Sequence, residues 1–400
     1  MPNKTLKKWS CSRLKEITSL KQSKDEVKSL SDTQLVSFVP MECLGINKKY
    51  FNSNFEKPIK DLINKYVYFA ENDVIMAKIT PCFENGKIGI AKNLKNKIGF
   101  GSSEYLVFRP NKNVLNEYLY YYLNRNSFRE IGAQNMQGAV GHKRLSKEFI
   151  EETLIYYPAE IEEQQRIVKI LDETFENIEK AKQNALQNLN NAKELFESRL
   201  NKTFLNIDKN VNKKLSELAQ IIGGGTPSKD NKSFYIGDIP WATVRDMNTD
   251  LLTETEFLIN EDAVKNSSTN IIPAGNIIIA TRVGLGKVCI LAQDTAINQD
   301  LKGIMPVKQI TSKFLFWWFK SIKNKIVETG VGATVKGVKL PFIQNLDVPF
   351  IDIKEQQKIV AQLDELQEQT KKLEQIYEQK IKDLDELKQS ILQKAFNGEL

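Results

Sequence analysis

Two segments of the chain carry apolar residues at alternating three- and four-residue steps and contain neither proline nor glycine. They run from residue 163 to 204 and from residue 355 to 396. This spacing predicts two amphipathic helices with a coiled-coil seam, each about 63 Å long. A single helix of this kind is poorly stable alone, so we expect the two to pack together, antiparallel. The predicted seam residues are Ile167, Leu171, Ile178, Ala185 and Leu195 in the first helix and Ile359, Leu363, Leu366, Leu373, Leu384 and Leu387 in the second.

The two helical segments are copies of one another. Residues 163–173 read EQQRIVKILDE and residues 355–365, 192 positions later, read EQQKIVAQLDE, with eight of eleven identical. A period of nearly half the chain predicts two copies of one large unit rather than a solenoid of short repeats. We therefore expect two globular heads related by a pseudo-two-fold. The predicted segments are a first head at 1–157, a first spacer helix at 158–205, a second head at 206–349 and a second spacer helix at 350–400.

The middle of each head has the pattern of strands. Residues 73–80 and 87–91 are rich in β-formers and flank Asn85-Gly86, a dipeptide typical of hairpin turns. Residues 275–282 and 286–291 of the second head repeat this pattern. The predicted fold class is therefore α+β, with two α/β heads separated by two long antiparallel helices.

Composition and charge narrow the environment but not the function. The chain has a formal net charge of +7 and a sequence pI near 8.9, which permits a polyanionic partner without requiring one. Its longest aromatic run, at residues 314–319, is too short to span a bilayer, so we expect no membrane partner. Four scattered cysteines favour reduced thiols in a cytoplasmic protein.

The motifs of common enzymes are missing from the sequence. His142 is the sole histidine, so a zinc site or a serine triad is poorly supplied. Residues 284–287 (GLGK) resemble part of a phosphate loop, but Val288 stands where Ser or Thr must contact magnesium. The glycine pattern and the catalytic motif of an adenine methyltransferase are also missing. We expect no catalytic residue, metal site or cofactor in this chain.

Glycine-rich basic loops recur at matching places in the two heads, at residues 138–144 (GAVGHKR) and 332–339 (GATVKGVK). Glycine lets backbone N–H groups approach phosphates, lysine and arginine supply salt-dependent affinity, and amide side chains pair with adenine. The alternative for each residue is a solvated loop capped by polar side chains. The candidates for DNA contact in the first head are Lys78, Lys87, Gln134, Asn135, Gln137, His142, Lys143 and Arg144. Those in the second head are Thr226, Ser228, Arg245, Arg282, Lys287, Asn298, Gln299, Thr334, Lys336 and Lys339.

Together these residues resemble the specificity subunits of type I restriction–modification systems. The resemblance rests on residues 222–228 (IGGGTPS), 280–290 (ATRVGLGKVCI) and 333–338 (ATVKGV), and on the E-Q-Q-x-I-V-x-x-L-D runs. The first head departs from the second, because it lacks GGTPS and carries residues 78–87 (KITPCFENGK) and 99–104 (GFGSSE) instead. This difference implies that the two heads read different half-sites.

The resemblance implies a role without catalysis. A subunit of this family binds a bipartite site in double-stranded DNA and positions two methyltransferase subunits, optionally with two restriction subunits. S-adenosylmethionine, ATP and magnesium would then belong to those partners. Two other functions stay open from the sequence, a coiled-coil scaffold without sequence-specific DNA binding and a fused restriction enzyme with its own catalysis. The missing enzyme motifs argue against the second of these.

Overall fold

The computed structural model describes residues 9–139, 141–332 and 337–400. The chain divides into two compact units, one formed by residues 1–185 and 379–400 and the other by residues 186–378. Both boundaries fall inside a long helix, so each unit contains one head and a part of each helix. The helices span Ile161–Leu205 and Ile353–Phe396, which confirms the two long helices predicted from the sequence.

The head of the first unit consists of short strands and short helices. Its strands are β1 (Trp9–Arg13), β2 (Thr18–Ser19), β3 (Leu35–Val39), β4 (Tyr50–Phe51), β5 (Phe55–Pro58), β6 (Val67–Ala70), β7 (Val74–Ala77), β8 (Ile88–Ala91), β9 (Ile98–Gly101), β10 (Tyr105–Pro110), β11 (Met136–Gln137), β12 (Arg144–Leu145) and β13 (Leu154–Pro158). Its helices are α1 (Leu14–Ile17), α2 (Asp25–Lys28), α3 (Ile59–Leu62), α4 (Asn116–Leu123), α5 (Asn126–Gln134) and α6 (Lys147–Glu152), followed by the long helix α7 (Ile161–Leu205).

Two mixed sheets form the frame of this head. One has the strand order β2-β10-β7-β8-β4 and the other the order β5-β3-β9-β6. The predicted hairpin is present, because β7 and β8 pair antiparallel, although a longer segment than a two-residue turn joins them. All four residues of β7 are buried, which is why this stretch is a continuous apolar run rather than an alternating one.

The head of the second unit is built from the same kinds of element. Its strands are β14 (Asn212–Lys214), β15 (Ala219–Gly223), β16 (Ile239–Ala242), β17 (Leu251–Leu252), β18 (Phe257–Ile259), β19 (Asn270–Ile272), β20 (Ile277–Ala280), β21 (Val288–Leu291), β22 (Thr295–Ile297), β23 (Leu301–Pro306) and β24 (Asp347–Pro349). Its helices are α8 (Leu215–Leu218), α9 (Glu261–Lys265), α10 (Ser312–Ser321), α11 (Lys323–Thr329) and α12 (Leu340–Gln344), followed by the long helix α13 (Ile353–Phe396).

The sheets of the second head repeat those of the first strand for strand. Their orders are β15-β23-β20-β21-β17 and β18-β16-β22-β19. The parallel pairs also correspond, since β3–β9 and β4–β8 in the first head match β16–β22 and β17–β21 in the second. The two heads therefore share one topology, as the internal repeat predicts.

The two long helices pair antiparallel within the first unit. Lys182 of α7 forms an ion pair with Asp385 of α13 at 2.7 Å, and Phe175, earlier on α7, lies under the ammonium of Lys388, later on α13. Residues at the helix ends enter the cores of the heads. In the first unit, Phe396 packs edge-on against Tyr118 with ring centroids 5.1 Å apart. The buried tyrosines of α4 thus serve packing.

Several predicted seam residues are buried. Ile167, Leu171, Ile178, Ala185, Ile359 and Leu363 have at most 8% of their surface exposed, and Leu366 and Leu384 are half-buried. Leu195, Leu373 and Leu387 are 67%, 43% and 46% exposed, so their assignment to the seam was wrong. Because a helix turns about 100° per residue, Leu195 lies about 80° from the face of Ala185, whereas Phe196 lies about 20° from it. Phe196 accordingly packs into the core of the second unit.

Candidate nucleic-acid interface

The repeated E-Q-Q motif attaches each head to its helix. Gln164 and Gln356, the first glutamine of each copy, are fully buried. The side-chain oxygen of Gln164 accepts a hydrogen bond from the backbone N–H of Leu115 at 2.9 Å, and its nitrogen donates to two backbone carbonyls at 2.8 Å. Gln356 repeats this with the N–H of Thr311 at 2.9 Å and carbonyls at 2.9 and 2.8 Å. Leu115 and Thr311 each precede a head helix, so these glutamines fix corresponding helices in both units.

The aspartate of each L-D-E run forms a second attachment. Asp172 accepts a hydrogen bond from the hydroxyl of Tyr121, and Asp364 accepts one from the indole nitrogen of Trp317 at 3.0 Å. Tyr121 and Trp317 are both six residues beyond the residue that precedes their helix. We call the contacts of Gln164 and Asp172 the first joint and those of Gln356 and Asp364 the second joint.

Both helix aspartates pair with a lysine of the head, since Lys313 lies 2.6 Å from Asp364, but the matching head residues Lys49 and Asp250 have opposite charges. In the first joint, the Lys49 ammonium lies 2.6 Å from the Asp172 carboxylate. In the second, Asp250 accepts hydrogen bonds from Lys320 and from Gln367 of α13, both at 2.6 Å. Burial acts to raise the pKa of the Asp250 carboxyl, but Lys320 and Gln367 hold it below its ordinary value. Both joints are held by polar contacts as well as by packing.

A broad cleft of about 990 Å³ in the second head gathers several of the predicted DNA contacts. Tyr235, Trp241 and Phe257 form an aromatic cluster in its lining. The hydroxyl of Thr226 donates a hydrogen bond to the side chain of Gln299. The predicted contacts in the lining of the cleft are Thr226, Arg245, Asn298 and Gln299.

Lysines missed by the sequence analysis also line this cleft. Lys229 and Lys232 are exposed and follow the GGTPS segment that carried the family resemblance. Their position directly after that segment was the available signal. With Arg245, whose side chain is 82% exposed, they give the cleft the positive charge that a phosphate backbone attracts.

Arginines in both heads are held by carboxylates. Arg144 binds Glu104 through two nitrogens, with Nη2 2.6 Å and Nε 3.0 Å from the carboxylate oxygens. Arg282 lies 3.4 Å from Asp300 through Nη1. The hydrogen bond from Arg144 holds the pKa of the Glu104 carboxyl below its usual value. Sequence reasoning singled out the arginines but not their acidic partners, because acids are not expected beside a polyanion.

The amide side chains of the first head line a second groove, of about 850 Å³, together with Phe149. Gln134, Asn135 and Gln137 all contribute to it. Asn135 donates its side-chain N–H to the carbonyl of Ile131 at 2.8 Å, which caps its own helix. Gln137 pairs with Arg144 across β11 and β12, so this groove adjoins the Glu104–Arg144 pair.

Some predicted contacts have structural roles. Asn298 is only 6% exposed and its side-chain oxygen accepts the backbone N–H of Asp300, so that oxygen holds a turn. Lys87 donates to the carbonyl of Met41 at 2.8 Å, and Lys287 lies 3.4 Å from the side-chain oxygen of Asn248.

The remaining predicted contacts are scattered over the loops. His142, Lys143, Ser228 and Lys339 are exposed, and Lys78 is half-buried. Lys78 and Lys143 belong to the segments that meet beside Glu104, since the backbone of Lys78 bonds that of Glu104 and the backbone of Thr80 bonds that of Lys143. Thr334 and Lys336 lie outside the described residues.

Two features bear on catalysis and membranes. In the described part of the chain, no group of three or more His, Cys, Asp or Glu side chains is placed to hold a metal ion. Burial raises the pKa of the Cys289 thiol to about 12, which makes that thiol a poor nucleophile. Among the described residues, no helix is long and apolar enough to cross a membrane.

The chain matches a known protein family over most of its length. The model of the "Type I restriction modification DNA specificity domain" matches it twice, at residues 7–188 and 207–383. Among curated proteins, the EcoAI specificity subunit of Escherichia coli is 34% identical over 46% of this chain. The MjaIX specificity subunit of Methanocaldococcus jannaschii is 32% identical over 42% of this chain. The matched parts cover 31% and 40% of those subunits, so the similarity spans well under half of each relative.

Solved structures agree with this family at the level of the fold. A chain from work on complex assembly and conformational transition of the type I R-M system superposes with a TM-score of 0.84 at 20% identity, covering all of both chains. The HsdS subunit of Thermoanaerobacter tengcongensis superposes with a TM-score of 0.68, also at 20% identity, covering all of this chain and 99% of that one. The two family matches enclose the two heads and reach into the long helices. This chain therefore belongs to the type I restriction–modification DNA specificity family.

Proposed function

We propose that this chain is the DNA sequence-specificity subunit of a type I restriction–modification complex and recognises an asymmetric bipartite site in double-stranded DNA. The observation that carries the proposal is the pairing of one topology with two different surfaces. The two heads have identical strand orders, yet equivalent loop positions carry different side chains, since Arg144 in the first head corresponds to Gly337 in the second and Ile79 corresponds to Arg282. A frame used twice with unlike reading surfaces suits a split site whose halves differ.

Direct readout in this proposal takes place on the clefts and loops of the heads. The cleft of the second head combines exposed cations with amide and hydroxyl groups, the side chains that contact phosphates and base edges. The first head offers Arg144 and Gln137 beside an amide-lined groove. Each head would read one half-site, and the long helices would set the spacing between the half-sites.

The chain would act without catalysis of its own. Its partners would be two methyltransferase subunits, with restriction subunits as an optional addition, in the cytoplasm. The methyltransferases would dock on the outward faces of the long helices, where Leu195, Leu373 and Ile376 leave apolar surface exposed. S-adenosylmethionine, ATP and magnesium would be bound by those partners.

Selection of duplexes from a random pool by the purified chain tests the DNA-binding part of the proposal. We expect two enriched half-sites separated by an unspecified spacer. Equal binding to unrelated duplexes would contradict the proposal and favour a coiled-coil scaffold.

Salt dependence tests which loops contact the phosphates. Lys143→Ala and Lys339→Ala should each reduce the slope of log affinity against log salt by about one, because each removes one phosphate contact. Lys380→Ala, an exposed lysine of α13, is the matched control and should leave the slope unchanged. An unaltered slope in both loop variants would remove these loops from the interface.

A further inference from the structure

An acidic residue occupies the same structural position in both heads. Glu104 immediately precedes β10, and Asp300 immediately precedes the corresponding strand β23. The carbonyl of Glu104 accepts the backbone N–H of Lys78 at 2.9 Å, and that of Asp300 accepts the N–H of Thr281, also at 2.9 Å. Lys78 and Thr281 each follow the last residue of the matching strands β7 and β20. The two acids are therefore equivalent, although the sequences around them differ.

The end of each glycine-rich basic loop pairs with the matching strand end in its head. The backbone N–H of Leu145 bonds the carbonyl of Lys78, and the N–H of Val338 bonds the carbonyl of Thr281, both at 2.9 Å. Leu145 and Val338 are thus equivalent, as are the residues that precede them, Arg144 and Gly337.

The arginine that binds the acid belongs to the basic loop in the first head and to the segment paired with that loop in the second. In the first head, Arg144 belongs to the basic loop and forms an isolated β-bridge with Ile79. In the second head the arginine is Arg282, at the position of Ile79, and Gly337 takes the place of Arg144. A Cβ atom on Gly337 would lie 3.3 Å from Cγ of Arg282, so the glycine leaves room for that side chain. Both heads place an arginine against the acid, by different routes.

Arg144 keeps two N–H donors that Glu104 and His142 do not occupy. A guanidinium has five N–H groups. Nε and one N–H of Nη2 bind Glu104, and one N–H of Nη1 donates to the carbonyl of His142 at 3.2 Å. One N–H then remains on Nη1 and one on Nη2. In the major groove, one N–H from each of the two Nη atoms of an arginine can bind O6 and N7 of a guanine.

In each head, the acid is less exposed to solvent than the arginine that it binds. The side chains of Glu104 and Asp300 are 21% and 16% exposed, whereas those of Arg144 and Arg282 are 47% and 54% exposed. An acid on a DNA-binding face repels phosphates, so its presence needs a compensating role. Holding a long, flexible arginine in one orientation is such a role, because it reduces the entropy lost on binding.

We propose that Glu104 and Asp300 are positioning residues that orient Arg144 and Arg282 toward a guanine, one in each half-site. This inference rests on the proposed function and predicts one guanine in each half-site. The arginines would be the groups that touch DNA, and the acids would act through them.

Methylome sequencing of cells that carry the chain with its methyltransferase tests the inference. Glu104→Gln keeps the shape of the side chain but removes its charge, and Arg144→Lys keeps the charge but removes the fork. Both variants should relax the same G·C pair of one half-site, with a loss of discrimination of roughly 5- to 150-fold, and leave the other half-site unchanged. Asp300→Asn should relax a G·C pair in the other half-site.

Glu151→Gln is the matched control, because Glu151 forms an ion pair with Lys147 on α6, away from Arg144 in sequence. It should leave the motif unchanged. A uniform drop in methylation with an unchanged motif in Glu104→Gln and Arg144→Lys would overturn the inference and make the pair purely structural. Relaxation at a position where the unaltered protein does not require G·C would overturn it too. If the unaltered protein gives no bipartite motif, the proposed function itself falls.

Discussion

The two joints share a glutamine, an aspartate and a head lysine paired with that aspartate, but they have opposite charges at one matching head position. Lys49 precedes β4 in the first unit, and Asp250 precedes the corresponding strand β17 in the second. The long helices differ in the opposite sense at the matching position. Glu179, which lines the same cavity as Lys49, stands 192 residues before Lys371, which lies 3.7 Å from Asp250. The difference teaches that at this position a change of charge in the head goes with the opposite change of charge in the helix.

The space at the joints differs as well. A cavity of about 520 Å³ lies at the first joint, lined by Lys49, Asp172 and Lys388 among others. In the second unit, Phe196 stands at the position of Lys388 and packs against Trp317 with ring centroids 5.8 Å apart. Aromatic contacts and ion pairs hold both joints, because Tyr121 also packs against Phe175, with ring centroids 5.6 Å apart, and Asp364 also pairs with Lys313, at 2.6 Å.

The largest expected effect concerns a buried leucine that directly precedes the joint aspartate in both long helices. Leu171 and Leu363 are 0% and 2% exposed at matching positions, so Leu171→Ala and Leu363→Ala should each lower the free energy of unfolding of their unit by about 3–5 kcal/mol. Hydrogen exchange, read separately for each unit, measures this. Leu195→Ala is the control and should change stability by less than about 0.5 kcal/mol, because Leu195 is exposed. A loss from Leu195→Ala as large as that from Leu171→Ala would contradict the burial pattern.

Charge reversal tests what the joints do not share. Lys49→Asp places a carboxylate beside Asp172, in a cavity that Glu179 also lines, and we expect a loss of about 2–3 kcal/mol in the first unit. The double variant Lys49→Asp with Glu179→Lys should recover part of that loss. Thermal unfolding of the four proteins of this cycle gives the coupling energy. A coupling energy of zero would show that the opposite charges are incidental.

A smaller effect, equal in the two units, is expected at the joint glutamines. Gln164→Ala and Gln356→Ala each leave one N–H and two carbonyls of the backbone without partners, which should cost roughly 2 kcal/mol. The neighbouring Gln165 and Gln357 are exposed and provide the controls Gln165→Ala and Gln357→Ala, for which we expect no change. Urea unfolding checks both. Unequal losses from Gln164→Ala and Gln356→Ala would mean that the joints are less alike than their hydrogen bonds indicate.

The smallest effect is a dependence on pH confined to the second joint. The folded protein lowers the pKa of Asp250, so its contribution is complete above about pH 4 and is lost as the pH falls through the lower folded value. After solvent screening we expect less than about 1 kcal/mol. Asp250→Asn should remove this acid-dependent part from the hydrogen exchange of the second unit. An unchanged acid dependence in Asp250→Asn would assign it to other carboxylates.

Local patterns predicted much of the fold. The helices were predictable because their periodicity and lack of proline and glycine are properties of neighbouring residues, and the hairpin of β7 and β8 was predictable from Asn85-Gly86. The seam residues were less predictable, because alternating three- and four-residue steps do not match the 3.6 residues of a helical turn. Over many turns, the residues chosen in this way move off the buried face. Leu195 was chosen where Phe196 is the packed residue for this reason.

The candidate site was predictable only in part. Residue type pointed to Arg144, Arg282 and Gln299, which the structure places on exposed loops and clefts. Residue type says less at Asn298, because an amide that reads a base and an amide that holds a turn look alike in sequence. It failed at Glu104 and Asp300, since their role depends on a partner brought close only by the fold.

The central claim is that two heads of one topology each read their own half of a split site. Sequencing the methylated bases of cells that carry this chain with its methyltransferase tests it most directly. The account predicts an asymmetric motif of two different half-sites separated by an unspecified spacer of fixed length. A continuous motif, or methylation independent of sequence, would contradict it.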